Sequence, residues 1–208
     1  MNTVNVGFTQ MKDATQADYD LLEERLGPYL EQTPQRIMDM LARQVEERES
    51  GYQVNRLEHA LQSATRARRS GADTEWVVAA LIHDIGDGIA PMNHDKFAAE
   101  VLRPYVRPEV TWTVAHHGIF QLYYTGVFQG KNNLAREKYK DELYYSSCVD
   151  FCEHWDQVSF DPDYSWDPLD SFAGELHEVF LRTPFAPETV GSTQIKGVQA
   201  PQTCTARG

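Results

Sequence analysis

At 208 residues, with 41% hydrophobic and 11% aromatic content, the chain can build one domain with a substantial core. Its net charge of −12, from 31 acidic against 19 basic residues, argues against nucleic acid and anionic membranes as partners. No apolar run approaches the roughly 20 residues that span a bilayer, and Met1-Asn2-Thr3-Val4-Asn5 lacks the basic and apolar regions of a signal peptide, so the expected location is cytoplasmic.

Residues 1–14 read as a lead-in. Thr15-Gln16-Ala17-Asp18 is a helix start, with Thr15 as cap and Asp18 at the positive end of the dipole. That helix runs through Leu21, Leu22, Leu26 and Leu30, with Gly27 and Pro28 breaking or kinking it. Thr33-Pro34 opens a second helix, whose Ile37, Met40, Leu41 and Val45 form a buried stripe. A third helix is expected from about Gln53 to Arg69, with Gly71 as its C-terminal cap. Asp73 caps a fourth, which is apolar nearly all round through Trp76, Val77, Ala80 and Leu81 and so is expected to be central.

The loop Asp87–Asn93 leads to His94 and a short helix over Asp95–Leu102; Pro108 opens another with Val110, Val114 and His117 on one face. The aromatic, Gly-containing stretch Phe120–Gly130 is expected to be a loop or lid edge. Leu134–Gln157 is expected to be one long helix with Leu143, Val149, Cys152 and Asp156 inward. Cys148 and Cys152 fall one helical turn apart and suit core packing; with Cys204 they make an odd, low count that fits a reducing compartment. Pro162–Pro168 is a turn-rich connection, and Pro168 starts a last helix through Leu169, Phe172, Leu176, Val179 and Phe180. Residues 1–182 are taken as the helical domain and 183–208 as a tail, extended or disordered. With no alternating stretch that reads as strand, the expected fold class is all-α.

Among seven histidines, His59 lies mid-helix on a core-facing segment, and His83-Asp84 ends the most apolar helix. An ionised Asp84 beside that much apolar surface is costly unless it is paired or binds a metal. Imidazole and carboxylate together suit zinc, iron or manganese. Adjacent His and Asp side chains diverge, so the Asp can bridge two ions while the His binds one.

His59, His83-Asp84 and Asp156 resemble the motif of the HD-domain superfamily over roughly residues 49–160, and His94 and His117 match the two further histidines of its dinuclear members. Asn55–Gln62, Arg69–Asp73, Ala79–Gly86, His94–Leu102 and Trp155-Asp156 are closer still to the mixed-valent diiron oxygenases of that superfamily. These include phosphonate-cleaving enzymes and, more distantly, myo-inositol oxygenase. The resemblance implies an all-α HD bundle with two iron ions as cofactors. It implies O2-dependent oxidation and cleavage of a small hydroxylated substrate at a C–C or C–P bond. The alternative is an HD phosphohydrolase acting on a nucleotide or small phosphoester with other divalent metals.

The implied ligands are His59, His83, Asp84, His94, His117 and Asp156, with Asp84 bridging; His116 is the alternative to His117, and Asp150 to Asp156. Glu49 and Tyr52 are a candidate lid pair over the metals. Gln62, Lys96, Gln121 and Tyr124 are candidate substrate contacts. Gln121 stands where phosphonate-cleaving relatives carry a lysine, which leaves the phosphonate itself an open question. The expected partners are a small molecule and O2, without nucleic acid or membrane; the oligomeric state is open.

Overall fold

The computed structural model describes residues 5–46 and 51–199. Among them every regular element is helical: α1 (Gln16–Glu31), α2 (Thr33–Arg43), α3 (Arg56–Arg69), α4 (Thr74–Ile82), α5 (His94–Leu102), α6 (Pro108–Thr125), α7 (Tyr145–Phe151), α8 (Ala173–Phe180) and α9 (Pro187–Val190). The all-α expectation therefore stands. No helix among the described residues is long and apolar enough to cross a membrane.

The core is built around α4. Every residue from Trp76 to Ile82 is buried, and α4 packs against α3, α6 and α8. Its start is set by Asp73, whose carboxylate accepts from the Trp76 N–H. The α3 helix starts on a capping box: Asn55 Oδ1 accepts from the Glu58 N–H, and Glu58 accepts from the Asn55 N–H. It ends where Gly71 adopts a φ of 82° and the Ala72 N–H reaches back to Ala67 O.

Three elements differ from expectation. The α1 helix is not broken at Gly27-Pro28 but runs to Glu31, and none of its residues is buried. The α6 helix continues through the aromatic run to Thr125, so Phe120–Gly130 is not a loop throughout. Phe120 is fully buried, and Tyr123 is covered by the Arg136 guanidinium at 3.7 Å, so packing holds these rings on a helix. Gly126 caps the end of α6, where a side chain would meet Leu122 O at 2.6 Å.

The expected single helix over Leu134–Gln157 is in fact three pieces. A 3₁₀ turn (Ala135–Tyr139) is followed by α7 and then a π-helical turn (Cys152–Asp156). Tyr139 turns inward to Trp112, His116 and Phe120, which bends the chain before α7 begins.

Beyond α9 the chain lies along the domain. The Lys196 and Gly197 N–H groups donate to the buried Glu109 carboxylate, and Lys196 Nζ sits 3.1 Å from Asp73.

Candidate metal centre

Four histidines and two aspartates converge where α3, the end of α4, the start of α5, the middle of α6 and the π-turn meet. His59 Nε2 lies 3.1 Å from His83 Nε2. Asp156 Oδ1 stands 3.4 Å from His59 Nε2 and 3.5 Å from His83 Nε2. The Asp84 carboxylate divides between two sides. Its Oδ2 is 3.6 Å from both His59 and His83 Nε2, while its Oδ1 is 3.1 Å from His117 Nε2 and 3.2 Å from His94 Nε2. Two overlapping groups, His59–His83–Asp156 and His83–Asp84–His117, bring their ligand atoms close enough to hold a metal ion.

The local backbone presents each imidazole the same way round. Nδ1 of His59 faces Ser159 O at 2.9 Å, His83 faces Ala80 O at 2.9 Å, His94 faces Pro91 O at 3.1 Å and His117 faces Val114 O at 2.7 Å. A carbonyl only accepts, so each Nδ1 carries the proton and each Nε2 lone pair points into the cluster. This is the arrangement by which proteins orient metal-binding histidines. The π-turn brings Asp156 into the same space, and π-turns recur at functional sites.

Lone pairs and carboxylate oxygens packed this closely need protons or a cation between them. Burial drives the His59, His83 and His117 pKa values down, but Asp84 and Asp156 outweigh it and hold all three above the ordinary imidazole value. Burial likewise opposes ionisation of Asp84 and Asp156, yet the imidazoles hold both well below the usual carboxylate range. A metal ion would displace those protons. Asp156 Oδ2 is buried and has no hydrogen-bond partner among the described residues, which is a second point of fit. The donor set is imidazole and carboxylate only. The Cys148 and Cys152 thiols turn instead to the carbonyls of Thr113 and His117.

The two sides differ in access. The side chains of His59, His83 and Asp156 are 1%, 0% and 3% exposed, whereas His94 is 24% exposed. The cluster is therefore more open to solvent at His94 than at His59, His83 and Asp156.

His117, not His116, lies against Asp84. His116 stacks on Trp112 at 4.1 Å and donates to Trp112 O, on another face of α6. Asp150 is half-buried, and neither metal-capable group includes it. Glu49 lies outside the described residues. Tyr52 is exposed but stacks on Phe160 at 4.8 Å, and Phe160 stacks on the His59 ring at 4.3 Å.

The candidate substrate contacts are placed as follows. The Gln62 amide is used by the backbone: it donates to Asp161 O and accepts from the Asp161 N–H, which positions the segment carrying Ser159 and Phe160. Lys96 Nζ donates to Ala115 O. Gln121 and Tyr124 follow His117 at helical spacing on one stripe of α6. Burial, with Cys152 and Glu153 nearby, pushes the Tyr124 phenol up to about 12.

Five residues at the site were not singled out from the sequence. Arg56 lies one turn before His59; its guanidinium is 2.7 Å from Asp87 and 3.8 Å from Asp84 Oδ2. Asp87 is also 3.6 Å from His94 Nδ1. Gln44 is buried and donates to Asp84 O at 3.1 Å. Ser159 and Phe160 complete the surroundings of His59. Helical spacing from His59 could have found Arg56; the others depend on chain segments that meet only in the fold.

Comparison with curated proteins found no match. The family model described as HD domain matches residues 56–151, a span that holds His59, His83, Asp84, His94 and His117 and stops short of Asp156. Over residues 56–151 the chain is therefore similar to the HD domain, and the all-helical fold and the His–Asp cluster agree with that similarity.

Proposed function

We propose that the chain is a dinuclear iron oxygenase that uses O2 to oxidise and cleave a small hydroxylated substrate, at a C–C or C–P bond next to the hydroxyl-bearing carbon. The observation that carries the two-ion reading is the split of Asp84, with Oδ2 toward His59 and His83 and Oδ1 toward His94 and His117. One ion would be held by His59, His83 and Asp156, the other by His94 and His117, with Asp84 shared. A set of four imidazoles and two carboxylates suits iron better than magnesium or calcium, which favour oxygen ligands. Bound iron would supply redox chemistry and bring O2 and substrate together.

The surrounding residues have separable tasks. The backbone carbonyls hold a proton on each Nδ1 and so aim each Nε2 at the cluster. Phe160 covers His59, and Tyr52 covers Phe160, so water is kept from the closed side of the cluster. On the open side, Arg56 and Asp87 stand where a hydroxyl or anionic group of the substrate would enter. Gln121 in place of a lysine favours a substrate other than a phosphonate dianion.

A second reading, a metal-dependent phosphohydrolase, is favoured by Arg56. This cation is 20% exposed and lies 3.8 Å from Asp84, a suitable place to hold a phosphate.

Anaerobic reconstitution with ferrous iron followed by partial oxidation separates the two. The oxygenase reading expects an EPR signal from a half-oxidised pair that a hydroxylated substrate perturbs, and O2 uptake with that substrate. Absence of the signal, together with phosphate release from nucleotides or phosphoesters, would establish the hydrolase instead.

A further inference from the structure

A cavity of about 430 Å³ opens on a face of α6 that carries no metal-centre donor. Val106, Pro108, Trp112, Ala115, Tyr144 and Val190 make its wall apolar, with two aromatic rings among them. Three polar groups converge on it: Arg103, Thr111 and His116. Its size and lining are those of a small-molecule site, an apolar concavity with a few placed polar groups.

Two features suggest a built site rather than a packing fault. The His116 ring is fixed by its stack on Trp112 and its bond to Trp112 O, which leaves Nε2 available to a ligand. At the rim, Phe185 has a φ of 58°, the one non-glycine left-handed residue among those described. Its N–H donates to Pro104 O at 2.7 Å, and the residue is 59% exposed although it borders the cavity. Strained backbone of this kind collects at ligand sites.

We propose that this cavity binds a small aromatic carboxylate, with the ring stacked among Trp112, Tyr144 and Phe185 and the carboxylate on Arg103. Flat aromatic walls favour a flat ring. Arg103 is the one guanidinium or ammonium lining the cavity, which suits a monoanion. It is half-exposed and engaged by the exposed Glu100 through two hydrogen bonds, which a ligand carboxylate must share or replace in the same bidentate manner. The proposal does not depend on the chemistry of the metal centre, since no lining residue is among the six candidate ligands.

Isothermal titration of the full chain with phenylacetate, and with the neutral phenylacetamide, tests it. Phenylacetate is expected to bind at least tenfold tighter than the amide; Arg103→Met should bring the two within twofold; Val190→Trp should fill the cavity and abolish binding of both. No phenylacetate binding to the wild type, or binding unchanged in Val190→Trp, would overturn the proposal. If Val190→Trp does not fold, NMR of the wild type decides: phenylacetate must shift the Trp112 indole N–H and the His116 ring signals, and shifts confined elsewhere would reject the site.

Discussion

At the scale of single residues, Asp84 connects the whole candidate centre. Its two oxygens face different histidine pairs, and its backbone carbonyl is held by Gln44. The Arg56 guanidinium lies 3.8 Å from that carboxylate and is anchored by Asp87, so in the proposed function it would orient what enters and not ligate. Arg56→Met should keep its metal content and raise KM about tenfold or more, the worth of one lost charge-assisted hydrogen bond. Metal analysis and steady-state kinetics check both halves, and loss of metal in this variant would contradict the role. Much of the centre could be read before the fold was known. The core-facing segment of His59 and the apolar helix that ends in His83-Asp84 mark those three residues, while His94 and His117 rest on the resemblance to dinuclear HD-domain proteins. Ser159 and Phe160 could not be found that way, because they reach His59 across about 100 residues of chain.

At the scale of elements, the helices that begin on strong caps were legible, and those decided by packing were not. Thr15, Asn55 and Asp73 all accept from the backbone where a capping side chain should. The end of α6 was misread because aromatic residues have only weak helical preferences that tertiary contacts override, and the pieces after it because the inward packing of Tyr139 interrupts the expected helix. The junction between α4 and α5 carries a tighter constraint. A Cβ on Gly86 would lie 2.8–2.9 Å from Phe97, on the helix that begins with His94. Gly86→Ala should therefore destabilise the fold by roughly 1–3 kcal/mol, the usual cost of overpacking. Because α5 must shift, it should also weaken metal binding on the His94 side before the His59 side. Urea denaturation and metal titration would show this; a variant of wild-type stability would mean that Phe97 gives way freely.

At the scale of the whole molecule, buried charges tie distant segments together. Glu109 accepts from Arg107, Ser147, Lys196 and Gly197, so it joins the start of α6 to α7 and to the chain beyond α9. That anchoring was not visible in the composition of residues 183–208, which reads only as irregular. Burial opposes ionisation of Glu109 and Asp73, but Arg107 and the other donors outweigh it and hold both pKa values below ordinary. Such groups contribute stability that is fully present above their unfolded values and is lost as pH falls through the folded ones. Stability should thus fall progressively below the ordinary values of 4.5 for Glu109 and 3.8 for Asp73. Glu109→Ala should cost roughly 3 kcal/mol at neutral pH by leaving Arg107 buried with less compensation. It should also flatten the acid limb of the pH–stability curve measured by chemical denaturation. An unchanged acid limb would remove Glu109 from the account.

The two-ion claim is tested most directly by native mass spectrometry of the chain loaded anaerobically with ferrous iron. The expected result is two ions per wild-type chain and about one in His94→Ala and in His117→Ala, with the His59 side still filled. A single ion in the wild type, or two retained in both variants, would contradict the dinuclear centre.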